Sequence, residues 1–557
     1  MSEVPILKET TRTTGREALR NNITAAMALA GAVRTTLGPL GQDKLLIDDE
    51  GRTMVTNDGV TVLESAKVEH PVAKMLINAS TTQDRIARDG TTSAVLLSAE
   101  LLQNAWELVL QGVHPSAIAR GYRHAEEACR QHFESLVIEA TEEQMMAAAT
   151  TSLSGKIHSA MQNHLATLAI QAARAVVEER PDGRVADPTR VKILTQTGGS
   201  MTDSSLVTGL VLAKKRVTDR MPKQITSGKI ALVDGGIERR EMMSNMKLSV
   251  ANTGVLESFR QQEKTVLLDQ INHLVDLGVT LLACKEGIDD DVHAALTEAG
   301  IQAYRRVARS DLDLLARGTN ATLKNDVKGL TESDLGVFIS SNNERWNGVM
   351  HWIVETEEGG ATFIAKGSTN ETVGEVERCF ADALGVACQL LEEPYLLAGG
   401  GATQIALARH LRRFAEGFAG REQLAIEAFA DALEIIPRTL AQNAGLDPLD
   451  SLLQTVAQQT TSNDPSPHHI GLNIERKSPS NMVDDGVVEP LRITRQVLAG
   501  ATEAALSVLR IDDVPFRLDI LRFRGNCFHI ERSRSSARII RARRLENMTG
   551  KLAMSTN

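Results

Sequence analysis

From Arg16 to Leu37 apolar residues recur at steps of three and four, at Leu19, Ile23, Met27, Ala30, Val33 and Leu37, the spacing of one helix face. Gly38-Pro39 ends that helix, since proline has no N–H to continue it. From Lys44 to Leu63 the pattern shortens to β-branched runs separated by Asp-Asp-Glu-Gly at 48–51 and Asn-Asp-Gly at 57–59, which predicts hairpins and a small antiparallel sheet. Gly90 to Gln111 reads as a second helix, apolar over most of its circumference and therefore buried between other elements. Tyr122 to Arg180 continues helical and Ala-rich, with a break at Thr151 to Gly155.

Between about Lys192 and Lys366 the texture changes. Lys229-Ile-Ala-Leu-Val-Asp, Val279-Thr-Leu-Leu-Ala-Cys and Ala303-Tyr-Arg-Arg-Val are strand-like runs separated by amphipathic segments, the signature of an independently folded α/β domain. Helices return after Thr369 and persist to about Leu509, interrupted by a polar, proline-containing gap at Thr460 to Pro467. Helices at both ends around an α/β block predict a domain inserted into another, with the two termini in one body.

A chain of 557 residues exceeds the size at which one core stops growing, so two or more domains are expected. Hydrophobic residues at 42% and charged residues at 24% leave ample apolar surface for a packed interior, which argues against disorder. The net charge of −10 is spread along the chain, so no basic face marks a nucleic-acid partner through most of its length. Aromatics are only 3%, which leaves few stacking platforms for bases or sugars. Met1 to Thr14 has no apolar stretch of signal-peptide length and no apolar run is long enough to cross a bilayer, so the expectation is a cytoplasmic protein without a membrane partner. Cys129, Cys284, Cys379, Cys388 and Cys527 lie far apart without a Cys-x-x-Cys pair and read as small buried residues in a reducing compartment.

Neither the Walker A pattern nor Gly-x-Gly-x-x-Gly after a strand occurs. Phosphate chemistry remains open elsewhere. Leu37-Gly-Pro-Leu-Gly places glycines after one helix, and Asp89-Gly-Thr-Thr-Ser opens another, where free N–H groups and the helix dipole attract anions. Asp89 is suited to a magnesium ion bridging phosphate oxygens, or is simply an N-cap. Asp58 in Asn-Asp-Gly is first a turn residue. Asp382 falls nearly opposite the apolar face formed by Val376, Phe380, Ala383, Ala387 and Leu391, which by itself reads as an ordinary solvated surface aspartate rather than a catalytic one. Gly399-Gly-Gly either lets a ligand approach the backbone or forms a flexible joint.

Taken as an ordered set, several segments resemble the group II chaperonins, the class of the archaeal thermosome and the eukaryotic cytosolic chaperonin. They are Arg20-Asn-Asn, Arg34-Thr-Thr-Leu-Gly-Pro-Leu-Gly-Gln-Asp-Lys, Thr56-Asn-Asp-Gly-Val-Thr, His70-Pro-Val-Ala-Lys-Met, Asp89-Gly-Thr-Thr-Ser-Ala, Gly198-Gly-Ser, Gly287-Ile-Asp-Asp, Gly399-Gly-Gly-Ala, Arg421-Glu-Gln-Leu-Ala-Ile-Glu-Ala-Phe, Ile435-Ile-Pro-Arg-Thr-Leu, Asn443-Ala-Gly-Leu-Asp-Pro and Leu509-Arg-Ile-Asp-Asp.

The resemblance implies a multidomain fold. A mainly α-helical equatorial domain with small β hairpins would be split between 1–141 and 397–514. A small α/β intermediate domain would be split between 142–208 and 363–396. An inserted α/β apical domain with a helical protrusion would cover 209–362, and 515–557 would be a basic C-terminal extension. It also implies an ATPase that encloses and folds non-native proteins in a double ring of identical or paralogous subunits, closed by a built-in lid.

For ATP and Mg²⁺ the resemblance implies a set of contacts. Gly38, Pro39 and the stretch Gly90, Thr91, Thr92, Ser93 would hold phosphates, Leu37 and Gly59 would also contact the nucleotide, and Asp89 would hold the metal. Gly400 and Gly401 would lie against the nucleotide and Glu489 near the ribose. Lys156 would sense the γ-phosphate, and Asp382, assisted by Asp58, would orient the attacking water. The segment 237–275 would carry the lid, with Gly254-Val-Leu-Glu-Ser-Phe-Arg-Gln-Gln-Glu-Lys as its helical part. Client binding would use apolar apical surface.

Arg88 replaces a glycine of the family pattern, Leu40 a lysine, Ala398 a proline, and Lys366-Gly-Ser-Thr an Arg-Gly-Gly-Thr. If the backbone at 88 requires a positive φ, the arginine there costs roughly 1–2 kcal/mol. Beyond Val514 arginines outnumber acids, and Leu518-Asp-Ile-Leu-Arg-Phe and Cys527-Phe-His-Ile-Glu-Arg read as strands of a basic tail, suited to acidic clients, nucleic acid or a neighbouring subunit, or simply solvated. Two other readings stand beside the folding machine: a chaperonin-like scaffold with weakened ATP cycling, and a metabolic ATP-dependent enzyme.

Overall fold

The computed structural model describes residues 10–47, 51, 53–66, 68–181, 183–239, 253–357, 360–462 and 464–517. The expected basic tail beyond Arg517, residues 240–252 of the expected lid segment and the expected turn at 48–50 lie outside the described residues. The chain divides into two compact units. In one, strands Thr10–Thr14 and Asp513–Arg517 pair antiparallel, with Thr10 opposite Arg517 and Thr14 opposite Asp513.

The other unit, Gly15–Asp512, holds several distinct cores. The largest joins helices from both ends of the chain, as the inserted-domain reading requires: Leu19 and Ile23 from Gly15–Val33 share it with Ala505, Val508 and Leu509 from Leu491–Leu509. The helix Thr91–Leu110 runs through this core with most of its residues buried, because its sequence offers no polar face wide enough to meet water. Tyr122 closes it, stacked edge-on against Phe429 while its hydroxyl donates to the Leu101 carbonyl at 2.7 Å.

A second core forms where the helices Glu142–Ser152, Ser159–Ala175 and Asn370–Glu392 meet the strands Val191–Thr197 and Ala361–Gly367. The six-stranded sheet to which these strands belong continues through Ser205–Leu212, Val349–Glu355, Ser340–Trp346 and Gln224–Ile225.

The inserted α/β block is built on a four-stranded sheet. Gln302–Tyr304, Val279–Cys284 and Gly228–Val233 run parallel, and Gly336–Phe338 adds an antiparallel edge. Alternate residues serve opposite faces: Ala231, Val233 and Leu282 pack toward the helix Thr253–Asp276, and Ile230, Leu232 and Leu281 toward Leu312, Leu315 and Trp352. Burial of both faces explains why these strands read as continuous apolar runs.

Four expectations are corrected. Asn57-Asp58-Gly59 is no hairpin turn: Lys44–Ile47 and Thr53–Thr56 do pair, but Asp58 then caps a helix, Gly59–Ser65, by accepting from the N–H groups of Val60 and Thr61. Val177–Arg180 leaves the helical run to pair with Gly183–Ala186, since β-branched and charged residues replace the alanines there. The C-terminal helical stretch contains strands Tyr395–Ala398 and Val488–Pro490 and a hairpin of Ile470–Asn473 with Ser478–Asn481. Asp89 is not an N-cap; that position belongs to Gly90.

Candidate functional site

A cavity of about 370 Å³ opens among segments from distant parts of Gly15–Asp512. It is lined by Leu37, Gly38, Pro39, Asp58, Gly59, Asp89, Gly90, Thr91, Thr92, Ser93, Lys156, Asp382, Gly400, Gly401 and Glu489, which is every residue singled out from the sequence.

Its floor is made of helix beginnings. The helix Thr91–Leu110 starts at Gly90, with φ 78°, and Ala402–Ala415 starts at Gly401, also with φ 78°; neither N-terminus has a side-chain cap. Two sets of first-turn N–H groups and two dipoles therefore meet one cavity without a side-chain cap, and although Ala402 N–H donates to the Gly399 carbonyl at 3.0 Å the arrangement suits an anion. Glycine is required at both starts. A Cβ at Gly401 would stand 2.6 Å from the Pro437 Cβ, and one at Gly90 would stand 2.9 Å from methyls of Ile493 and Val497.

The other walls are held by polar contacts. Asn443 donates to the carbonyls of Arg34 at 3.1 Å and Leu37 at 2.8 Å, pinning the loop before Gly38-Pro39. Asn57 donates to the Gly155 carbonyl at 3.1 Å, so the turn that presents Lys156 is tied to the segment that presents Asp58. Gly59 abuts Thr92, whose Oγ1 would lie 2.4 Å from any Cβ placed there. Across the cavity, Lys156 Nζ meets Asp382 Oδ2 at 2.5 Å. Asp382 is thus no solvated surface residue: its helix leans its polar side on the turn at Ser152–Lys156, and the carboxylate is about four-fifths buried.

Comparison with known families matches residues 29–516 to the TCP-1/cpn60 chaperonin family. The chain belongs to that family. This chaperonin chain is similar to curated group II relatives. It is 41% identical over 508 residues to the thermosome subunit of Methanopyrus kandleri, covering 90% of this chain and 92% of the relative. To the thermosome subunit of Pyrococcus horikoshii it is 38% identical over 510 residues, covering 91% and 92%. To thermosome subunit beta of Methanothermobacter thermautotrophicus it is 39% identical over 508 residues, covering 91% and 93%. Among the described residues no helix is long and apolar enough to cross a membrane, and Cys129, Cys284, Cys379 and Cys388 are free and buried.

The electrostatics of the chaperonin cavity are lopsided. Asp58, Asp84, Asp89, Asp382, Glu475, Asp485 and Glu489 line it against only Arg88 and Lys156. Burial pushes the Asp382 carboxyl up, against the pull of Lys156 and with help from Asp89 and Asp58, to about 7. Burial opposes the charged form of Lys156, but Asp382 and Asp89 outweigh it and hold its pKa above the ordinary value. Burial also raises Glu489, whose Oε1 accepts from Thr494 at 2.6 Å.

Such an acidic wall suits a phosphate only together with a divalent cation. Asp89 uses one oxygen to accept from Gly90 N–H at 2.7 Å, leaving the other for a metal. Among the described residues no three His, Cys, Asp or Glu side chains cluster as a metal cage. The donor set therefore fits Mg²⁺, which takes one or two carboxylates and completes its shell from phosphate and water. The buried Asn57 Oδ1, without a partner, suits such a water.

Several lining residues were not singled out in advance. Leu472, Asn473, Ile474 and Asp485 come from the hairpin Ile470–Asn473/Ser478–Asn481 and the turn after it. Asp485 there accepts from Asn473 at 2.8 Å and from Ser480. The only advance signal was the alternation of Ile470-Gly-Leu-Asn, too short to stand out. Arg88, noted as a departure, does take a left-handed backbone, with φ 55°.

Proposed function

We propose that this chain is an ATP-hydrolysing group II chaperonin subunit that assembles with identical or paralogous subunits into a double ring and encloses non-native proteins in the cytoplasm. The observation that carries this reading is the meeting of two uncapped helix N-termini with Asp89, Lys156 and Asp382 in one cavity. ATP is the substrate. Gly38, Pro39, Gly59 and the N–H groups of Gly90 to Ser93 hold its phosphates, Leu37, Gly400, Gly401 and Glu489 line the remainder, and Asp89 holds magnesium. Bound magnesium supplies positive charge to the phosphoryl oxygens. Asp382, with Asp58, orients the attacking water and accepts its proton, and Lys156 follows the terminal phosphate. Most of the acceleration comes from positioning these groups, not from basicity.

The proposed division of labour is an equatorial body of 1–141 and 397–514, an intermediate body of 142–208 and 363–396, and an apical body of 209–362. The helix Asn370–Glu392 carries Asp382 from the intermediate to the equatorial core, so closing the subunit completes the site. Exposed Val337, Ile339 and Val349 in the apical body offer apolar surface to clients. The segment 237–275, of which 240–252 lie outside the described residues, serves as the lid.

The test is a magnesium-dependent ATPase assay combined with negative-stain imaging, with and without ATP, and a refolding assay. Stacked rings that close on ATP, refold a denatured client and lose turnover on Asp382→Ala are expected. A particle indifferent to ATP, or equal turnover of parent and variant, overturns the reading.

A further inference from the structure

Arg88 follows directly on the helix Pro71–Ala87 and adopts φ 55°, ψ 1°, a conformation glycine takes without penalty. Geometry alone would favour glycine at this point, so the side chain calls for its own account. Two observations supply one.

The first is where its stem rests. A Cβ at Gly385 would stand 2.4 Å from the Arg88 Cβ and 2.6 Å from its Cγ. The arginine is therefore seated on the helix Asn370–Glu392, one turn beyond Asp382, in a notch that only glycine leaves open. One turn farther along, Gln389 fastens the same two helices by donating to the Ala87 carbonyl at 2.5 Å.

The second is its charge. Arg88 and Lys156 are the two cations lining the cavity, and Lys156 is committed to Asp382. Among the described residues no carboxylate or acceptor engages the Arg88 guanidinium, although Asp84 lies near enough to feel its field. A planar five-donor fork without a partner, on a residue lining the cavity that two helix N-termini enter, matches a phosphate group.

We propose that the Arg88 guanidinium binds the polyphosphate of a nucleoside di- or triphosphate in this cavity, and that its seat on Gly385 couples this contact to the position of the helix bearing Asp382. The assignment rests on the reading of the cavity as a nucleotide site. It predicts that affinity for the charged end of the ligand depends on Arg88 while affinity for the nucleoside end does not.

The experiment is calorimetric titration of the full-length protein with a non-hydrolysable ATP analogue and with adenosine. The parent is compared with Arg88→Gly, Arg88→Lys, Gly385→Ala and the double variant. Loss of one charge-assisted contact is expected to weaken analogue binding about tenfold or more in Arg88→Gly, with partial recovery in Arg88→Lys. Adenosine binding stays within about twofold, and the melting temperature of Arg88→Gly equals or exceeds that of the parent, since the left-handed backbone is relieved. Gly385→Ala weakens analogue binding alone but adds nothing in the Arg88→Gly background. Unchanged analogue affinity in Arg88→Gly, or equal losses for analogue and adenosine, overturns the phosphate assignment. Additive losses in the double variant overturn the coupling. A parent that binds neither ligand overturns the nucleotide reading and this assignment with it, whereas a parent that binds both beside an unaltered Arg88→Gly overturns this assignment alone.

Discussion

Lys156 Nζ and Asp382 Oδ2 lie 2.5 Å apart across 226 positions of sequence, joining the turn after Glu142–Ser152 to the helix Asn370–Glu392 inside the cavity. A largely buried pair of this kind contributes little net stability but penalises removal of either member, because the survivor is left buried and unpaired. Its value lies in setting the protonation state of Asp382.

That state predicts the pH profile. With the carboxyl raised to about 7, Asp382 is increasingly protonated below that pH and loses the ability to accept a proton from water. The turnover rate should fall as pH drops through about 7, and Asp382→Asn should be slower by about a hundredfold or more with that limb gone. Steady-state kcat between pH 5.5 and 9 checks both.

Lys156→Met removes the main influence that lowers the Asp382 pKa. The acid limb should move to higher pH, and rate should recover only in alkaline buffer. A profile that merely scales down would assign Lys156 to ligand contact alone.

Asp89→Asn keeps an oxygen for the Gly90 N–H but gives up the charge facing the cavity. The magnesium concentration for half-maximal turnover should rise about tenfold or more, with little change in melting temperature.

Gly401→Ala places a Cβ 2.6 Å from Pro437 at a φ of 78°. Left-handed strain and overpacking together should cost about 2–4 kcal/mol in denaturant unfolding. Gly31→Ala, on an exposed helix position with nothing within 4 Å, should instead stabilise by about 0.5–1 kcal/mol.

The sequence exposed the fold unevenly, and the reasons are physical. The helices Gly15–Val33 and Thr91–Leu110 were legible because their apolar stripes span several turns, and the strands Gly228–Val233 and Val279–Cys284 because burial on both faces leaves unbroken apolar runs. The hairpin Ile470–Asn473/Ser478–Asn481 was not, since four-residue strands with polar partners resemble loop. Glycines at uncapped helix starts marked the phosphate-like floor, Gly90 and Gly401 among them. The partnership of Lys156 with Asp382 was invisible to periodicity, which placed Asp382 on a polar face without saying what that face meets. Likewise Arg88 stood out as a departure, but the notch at Gly385 that receives it appears only when the two helices are brought together.

The helix Asn370–Glu392 is buried in two cores at once, with Val373, Val376 and Phe380 in one and Val386 and Leu390 in the other. Its 23 residues form a rod about 35 Å long at the usual rise per residue. Because both ends are gripped by close-packed interiors that resist bending, it transmits rotation as a lever: a tilt of only about 5° at one end displaces the other by about 3 Å. A rotation of that size would carry the far core through about the width of one water molecule.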